Sequence, residues 1–159
     1  NVLSLIKAYK KTSRKWPLIL AGRPGNYGYA AIEKICTEEG LKDDVMLLGY
    51  VSQVNYPKLM ASATGFLFPS KFEGFGLPVL EAMASGVPVA VSHIPALKEV
   101  AQDAALYFDP DNIEDIKDKI ENIFNNQEQR TDLINKGLER AKEFSWCKVA
   151  KETLEYILE

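Results

Sequence analysis

The stretch GFLFPSKFEGFGLPVLEAMASGVPVAVSH, residues 65–93, contains two short apolar runs separated by a glycine-rich loop and a helical segment. The runs at 65–70 and 88–93 are almost continuously apolar, which is typical of parallel strands that are buried on both faces. Pro78 suits the first turn of a helix, where its missing N–H leaves no bond unmade, and that helix ends before Gly86. The stretch therefore predicts a strand, a loop, a helix and a second strand.

The same alternation extends to both sides of this unit. Further apolar runs lie at 17–22, 45–51 and 104–108, and segments of helical length separate neighbouring runs. Such alternation indicates an α/β fold with a parallel sheet. Amphipathic patterns at 113–124, 127–143 and 146–158 then predict a helical C-terminal tail. We expect a doubly wound, Rossmann-like parallel sheet with that tail, in one domain spanning residues 1–159.

The two ends of the sequence carry helical patterns of their own. Residues 1–12 favour an amphipathic helix, whereas a doubly wound domain normally opens on a strand. We therefore expect the domain's first strand to lie upstream of the sequence. The apolar stripe of the last helix is most simply explained as core packing, although part of it could be exposed; it comprises Trp146, Val149, Ala150, Leu154, Ile157 and Leu158.

Length, charge and cysteine content narrow the classes of function. The 159 residues carry a formal net charge of -3 with interspersed signs, so the basic surface of a nucleic-acid-binding protein is lacking. No run approaches the roughly 18 apolar residues of a membrane span, and the N-terminus lacks the pattern of a signal peptide. Cys36 and Cys147 are far apart in the sequence and have no neighbouring metal-ligand residues, so we expect two buried or free thiols in a reducing compartment. We expect a cytoplasmic protein without a transmembrane segment.

The loop at 71–76, hereafter the glycine loop, follows a predicted strand and precedes the N-terminus of a helix. In open α/β sheets ligands gather at the carboxyl ends of strands, and helix N-termini favour anions. The amides of Phe75, Gly76 and Leu77 are therefore candidates to receive phosphate oxygens, and Gly74 and Gly76 allow the backbone to approach closely. A tight turn without a ligand is the alternative.

Two carboxylates flank this loop. Glu81 lies about one turn into the helix, where its oxygens could accept hydrogen bonds from the vicinal hydroxyls of a ribose. Glu73 lies on the loop and could accept hydrogen bonds from the hydroxyls of a sugar. The alternatives are that Glu81 complements the helix dipole and that Glu73 is a solvated charge. Together the two carboxylates and the amides between them predict a nucleotide-sugar site.

The segment PSKFEGFGLPVLEAMASGVPV at 69–89, with ALKEV, DAALYFDPDN and FSW farther on, resembles the C-terminal, donor-binding domain of family 4 retaining glycosyltransferases. The resemblance covers nearly the whole chain and implies one half of a GT-B fold. It implies that the catalytic Glu73 holds hydroxyls of the donor sugar and that Glu81 holds the ribose. The loop amides would hold the diphosphate or the sugar. LLGYVS resembles the segment that meets the nucleotide base, which makes Tyr50 and Val51 candidates.

The resemblance also concerns parts of such enzymes that this sequence does not contain. Family members carry an upstream strand and loop whose Arg and Lys grip the donor diphosphate, and an N-terminal domain that binds a glycan, lipid or other acceptor. The implied full enzyme is a hexosyltransferase, with peripheral membrane contact possible, and the isolated chain is expected to be inactive. A related GT-B enzyme, such as a nucleotide-sugar epimerase or glycogen synthase, remains an alternative, as does a non-catalytic nucleotide-sugar-binding or partner-binding module.

Two other motifs are weaker. GRPGNYG at 22–28 follows a predicted strand, but its spacing is neither the dinucleotide fingerprint nor a P-loop. Its Arg23 could face the donor phosphates, although a surface salt bridge is at least as plausible. Asp-Pro-Asp at 109–111 is an ordinary turn before a helix, so we expect no metal. We expect no cofactor beyond the nucleoside-diphosphate sugar, which is a substrate.

Overall fold

The computed structural model describes residues 1–13, 16–22 and 28–158. The five predicted strands are confirmed, and the helical segments between and after them are present. The strands are β1 (Leu18–Ala21), β2 (Val45–Gly49), β3 (Phe66–Phe68), β4 (Val89–Ser92) and β5 (Ala105–Phe108). The helices are α1 (Val2–Lys10), α2 (Gly28–Glu38), α3 (Tyr56–Ala61), α4 (Leu77–Ala84), α5 (Pro95–Ala101), α6 (Ile113–Asn125), α7 (Gln127–Lys142) and α8 (Trp146–Leu158).

The strands form two parallel sheets instead of the single sheet that was expected. β1 pairs with β2, and β3, β4 and β5 pair in that order, so within the described residues β1 and β3 are not hydrogen-bonded neighbours. A doubly wound sheet has the order 3-2-1-4-5-6. Removing strand 1 from that order leaves a pair and a triplet, which is the arrangement of these two sheets.

One hydrophobic core joins the two sheets. It contains residues of β1 and β2, residues of β4 and β5, and the buried faces of α1 and α6, which pack against each other. A second core lies under α4 and α5. The central strand β4 is buried throughout, with Ala90 in the first core and Val89 and Val91 in the second. The predicted burial on both faces is therefore confirmed for β4.

The same prediction is wrong for β1 and β2. Leu18 and Val45 are buried, but Ile19, Met46 and Leu48 are 41%, 48% and 42% exposed. The reason is the alternation of side chains along a strand: one face packs on the core that contains α1, and the other is left open. These two strands are therefore covered on one side only.

The core-packing prediction for the last helix is also wrong. Every residue of α8 is exposed, including Trp146, which is 77% exposed, and Ile157, which is 71% exposed. The helix is amphipathic as predicted, but its apolar stripe meets too little of the described chain for any of its residues to be buried. Its amphipathic pattern therefore does not mark a buried core face in this chain.

At the carboxyl end of the three-stranded sheet, the turn and the helix cap are those that the sequence predicts. The Asp111 N–H donates to Asp109 Oδ1 at 2.9 Å, and the Asn112 side chain caps α6 by accepting from the N–H groups of Glu114 and Asp115. The Asp-Pro-Asp segment is thus a turn that enters a helix, as predicted. Across the described ranges, no helix combines the length and apolar character needed to cross a bilayer.

Candidate functional site

The glycine loop connects β3 to α4 and packs directly on α5. Gly76 is the N-cap of α4, is buried, and has a φ of 101°, which favours glycine. A Cβ at this position would lie 2.6 Å from Leu97 Cδ2, whereas a Cβ on the exposed Gly74 would meet nothing within 4 Å. The close approach predicted for the loop is therefore present at Gly76, and its neighbour there is α5.

The loop amides lie at the N-terminal end of α4. Pro78 has no N–H, and the Val79 N–H donates to the Gly76 carbonyl at 2.9 Å. The amides of residues 75–77 therefore precede the hydrogen-bonded part of the helix, at the end that carries partial positive charge. This arrangement fits an anion, and contact of these amides with a phosphate remains a prediction.

Phe75 and Leu77 are partly exposed at this end of the helix, at 43% and 47%. The Phe75 ring packs edge-to-face on Phe144, with ring centroids 5.9 Å apart. On the other side of the loop, Lys71 forms an ion pair with Asp111 in the turn after β5. The loop thus has side-chain contacts on both sides, and its own apolar surface lies beside the candidate anion site.

The two candidate carboxylates lie on different elements, as predicted. Glu73 is half-buried on the loop, and Glu81 is exposed on α4. Glu81 is the fifth residue of that helix, beyond the first turn, where the influence of the helix dipole has largely decayed. Complementing the dipole therefore explains Glu81 less well than a direct polar contact does.

Tyr56 supplies such a contact and was missed by the sequence reasoning. It is the first residue of α3 and packs, partly buried, against the second core. Burial, a hydrogen bond with Glu81 and the charge of that carboxylate raise the pKa of the Tyr56 phenol to about 12. The phenol therefore lies close to the Glu81 carboxylate. The sequence contained one signal for this residue: Tyr56 lies six residues after the candidate Tyr50 and begins a helix.

The segment after β2 lies at the same end of its sheet as the loop after β1. The Gly22 N–H donates to the Gly49 carbonyl at 2.8 Å, which holds the ends of the two strands together. Tyr50 then follows, 63% exposed, and Val51 is half-buried. Tyr56, which begins the next helix after this segment, interacts with Glu81 of α4. Arg23 lies outside the described residues.

The remaining candidate groups add no further cluster. Among the described residues, no three His, Cys, Asp or Glu side chains are grouped so as to hold a metal. Cys36 is buried, which raises the pKa of its thiol, and Cys147 is exposed; both are free thiols. The roles of the site residues and the absence of a metal and a cofactor remain predictions.

A family model for group 1 glycosyl transferases matches residues 1–140, including the glycine loop and both carboxylates. The chain belongs to this family. Two curated relatives of this glycosyltransferase domain are the O-antigen chain mannosyltransferase B of Escherichia coli and the O-antigen chain mannosyltransferase RfbU of Salmonella typhimurium. Each is 37% identical to the chain, over 97% and 85% of its length respectively. The alignments cover 41% and 40% of the two relatives, so the chain spans about two fifths of their length.

A solved structure supports the fold of the glycosyltransferase domain. The crystal structure of Anabaena Alr3699/HepE in complex with UDP-glucose matches 97% of the chain with a TM-score of 0.89 and 20% sequence identity. The match covers 44% of that protein. The predicted recognition as a C-terminal GT-B domain and the predicted fold class are confirmed by these matches together.

Proposed function

We propose that this domain binds the nucleoside-diphosphate-sugar donor of a retaining hexosyltransferase. The observation that carries the proposal is the glycine loop. Its amides at 75–77 lie at a helix N-terminus, between two carboxylates in the sequence. The family model matches the whole of this segment. An anion, a ribose and a sugar need this combination of groups in close proximity. The glycosyltransferase relatives support this use of the loop over a tight turn alone.

The residue roles follow from this placement. The amides at 75–77 bind the diphosphate, Glu81 accepts from the ribose hydroxyls, and Glu73 accepts from hydroxyls of the sugar. Tyr50 and Val51 meet the base, and Arg23 is a weaker candidate for the phosphates. Negative charge grows on the diphosphate as it leaves, so fixed amide dipoles that face it would stabilise the transition state more than the ground state.

Glu73 acts as a positioning carboxylate in this scheme, with no covalent intermediate. Retaining glycosidases use two carboxylates about 5 Å apart that flank a single bond. Here Glu73 lies on a loop and Glu81 on a helix, with Glu81 engaged by Tyr56, which suits contacts to two different parts of one donor. Retention at the anomeric carbon is proposed from the family resemblance.

Mannose is the sugar we propose first, because both of the 37% identical relatives are named mannosyltransferases. The acceptor is a glycan, a lipid or another molecule bound by a second domain of the full protein. An additional strand between β1 and β3 would join the two sheets and complete the doubly wound order. A cytoplasmic location, inferred from the free thiols, and peripheral membrane contact of the full enzyme are parts of the same proposal.

Isothermal titration of the chain with GDP-mannose, UDP-glucose and inorganic pyrophosphate tests the proposal. We expect saturable binding of at least one nucleotide sugar, weakened at least fivefold by Glu81→Gln. Glu128→Gln is a control, because this residue is exposed on α7, away from the loop. Absence of binding up to about 20 mM of every nucleotide sugar, or equal weakening by both variants, would contradict the proposal.

A further inference from the structure

The glycine loop is supported by a connected set of contacts that reaches the junction between α7 and α8. The Phe75 ring meets the Phe144 ring at an interplanar angle of 77° and a centroid separation of 5.9 Å, which is a favourable edge-to-face geometry. Phe144 is half-buried, packs against the second core, and lies two residues beyond the end of α7. It is the one aromatic partner recorded for the loop within the described residues.

Arg140 fixes the position of the Phe144 ring. Its guanidinium carbon lies 4.6 Å from the ring centroid, within the range of a cation–π contact. The same guanidinium donates from Nε to the Val100 carbonyl at 2.9 Å and from Nη2 to the Glu99 carbonyl at 2.8 Å. Its side chain is only 13% exposed. A planar group with these bonds has little freedom, so the ring beneath it is held firmly.

These contacts reach the loop at two adjacent residues, Phe75 and Gly76. The carbonyls that Arg140 binds belong to the last turn of α5, and the same helix contributes Leu97, which packs on Gly76. Gly76 therefore rests on α5 directly, while Phe75 rests on it through Phe144 and Arg140. Helix α5 therefore supports two consecutive amides of the candidate diphosphate site: that of Gly76 directly, and that of Phe75 through Phe144 and Arg140.

From this geometry we propose that Phe144 is a positioning residue that holds the loop amides at 75 and 76 for the donor diphosphate. The inference rests on the proposed donor-binding function of the loop. Without the Phe144 ring, Phe75 loses its packing partner, and the peptide between Phe75 and Gly76 is held from the Gly76 side alone. Preorganised amides bind an anion better than mobile ones because less ordering accompanies binding.

Phe144 lies within the α7–α8 junction, residues 143–145. Ser145 directly precedes α8. Its carbonyl accepts from the Val149 N–H and its hydroxyl accepts from the Lys148 N–H, both at 3.1 Å. The position of the exposed helix α8 and the position of Phe144 are therefore linked through the backbone. Phe144 thus connects the loop to a part of the chain that carries no buried residues.

The experiment compares Phe144→Leu, which keeps apolar bulk and removes the ring, with Phe144→Tyr, which keeps the ring. Phe124→Leu is the matched control, since Phe124 stacks on Trp16 with centroids 4.2 Å apart, in a different aromatic pair. In each ligand-free variant, ¹⁵N relaxation reports the order parameters of the loop amides. Titration with inorganic pyrophosphate and with GDP and UDP then reports affinity.

In Phe144→Leu we expect the order parameters of the Phe75 and Gly76 amides to fall from about 0.85 to below about 0.7. We also expect pyrophosphate and nucleoside diphosphate to lose affinity by the same factor, about three- to tenfold. Phe144→Tyr and Phe124→Leu should resemble the wild type in both measurements. Phe75→Leu, which removes the other ring of the pair, should reproduce the loss and serves in place of Phe144→Leu if that variant does not fold.

A folded Phe144→Leu variant with wild-type order in the loop overturns the proposal, as does equal mobilisation of the loop by Phe124→Leu. The order parameters are measured without ligand, so they decide the positioning role even if the wild type binds neither GDP nor UDP. Absence of nucleotide binding would instead contradict the proposed function. The two failures are therefore distinguishable.

Discussion

Glu81 carries the sharpest assignment at the scale of single residues, because its carboxylate is exposed and already meets one donor, the Tyr56 phenol. A carboxylate has two oxygens and about four acceptor sites, so the phenol leaves room for the two hydroxyls of a ribose. Glu81→Gln keeps the shape but replaces one oxygen with an N–H₂ group. We expect it to weaken binding of a nucleoside diphosphate about ten- to a hundredfold, and binding of pyrophosphate less than twofold, by calorimetry.

Glu73→Gln is the matched control for that measurement. Glu73 is assigned to the sugar, so its variant should weaken binding of a nucleotide sugar and leave binding of the nucleoside diphosphate unchanged. The ribose role of Glu81 is wrong if Glu81→Gln weakens nucleoside diphosphate and pyrophosphate to the same extent. The separation of the two carboxylates is wrong if both variants show one pattern.

Tyr56→Phe removes only the hydroxyl that interacts with Glu81, so it tests a contact that the sequence did not reveal. We expect a three- to tenfold loss of affinity for nucleoside diphosphates and little change for analogues that lack the ribose 2′- and 3′-hydroxyls. Tyr107→Phe is the control, because that hydroxyl bonds to the Gln102 carbonyl, just before β5 begins. Equal losses for ribose and dideoxyribose nucleotides would remove Tyr56 from the ribose site.

The raised pKa of Tyr56 also predicts a dependence of stability on pH. The folded-state pKa of about 12 lies above the ordinary value of 10.0, so the folded protein favours the protonated phenol. The resulting stabilisation is fully present below pH 10 and is lost as pH rises through 12. The difference in unfolding free energy between wild type and Tyr56→Phe should therefore be constant from pH 6 to about pH 9.5 and shrink above pH 10. Urea unfolding measured across this range checks it, and a difference that grows above pH 10 would contradict it.

At the scale of elements, the junction between the glycine loop and α4 depends on one glycine. A Cβ at Gly76 would both occupy a left-handed backbone conformation and lie 2.6 Å from Leu97 Cδ2. The conformation alone costs about 1–2 kcal/mol, and Leu97 is fully buried and cannot easily move. We expect Gly76→Ala to lower the free energy of unfolding by about 2–4 kcal/mol and to weaken pyrophosphate binding, as measured by chemical denaturation and calorimetry.

Gly74→Ala is the control for that variant, because a Cβ at residue 74 would meet nothing within 4 Å and the residue is exposed. Its unfolding free energy should stay within about 0.5 kcal/mol of the wild type. If both variants are equally stable, the loop adjusts freely and the close approach to α5 does not constrain it.

The elements that the sequence predicts well are those whose pattern is decided locally. The apolar run at 88–93 became the fully buried β4, and Pro78 and Gly86 bound α4 as expected, since both residues act on their own backbone. Burial of β1 and α8 was predicted wrongly. An apolar side chain in a pattern shows which face avoids water, but what covers that face depends on elements distant in sequence, and Ile19 and Trp146 remain exposed.

The same distinction holds for the candidate site. The sequence places the loop amides and both carboxylates because they lie within nine residues along one strand, loop and helix. Tyr56 and Phe144 are contacts between distant segments, 25 residues from Glu81 and 69 residues from Phe75, and no local pattern encodes them. Such supporting residues become visible only once α3 and the α7–α8 junction are packed against α4 and its loop.

At the scale of the whole molecule, the chain leaves two apolar surfaces exposed, and it spans only part of the length of its relatives. The outer face of β1 and β2 and the stripe of α8 are both apolar and exposed, and the chain spans about two fifths of the curated relatives. Large contiguous apolar patches are uncommon on the surface of a monomer. We expect further segments of a protein as long as these relatives to cover these faces and to bind an acceptor.

We therefore expect the 159-residue chain on its own to fold but not to transfer sugar, even with donor and acceptor both supplied. Two cores are formed by the described residues, which favours folding without another domain. Transfer requires the acceptor to be held against the anomeric carbon with water excluded, and the proposed acceptor domain would do both. The Arg and Lys implied by the family resemblance would each add a charge-assisted hydrogen bond of about 1.5–3 kcal/mol, which is tenfold or more in affinity.

Donor binding by the isolated chain should accordingly be no tighter than about millimolar, which ligand-detected NMR can measure. Adding a strand and loop that carry the Arg and Lys implied by the family resemblance should strengthen it at least tenfold, because the added strand would join β1 to β3 and bring those two cations to the diphosphate. A matched extension in which both cations are replaced by Gln separates the two effects: it should restore the pairing of the sheets without the gain in affinity. Sugar transfer by the purified chain, above the rate of its Glu73→Ala variant, would show that the described residues suffice for catalysis and that the acceptor domain is dispensable.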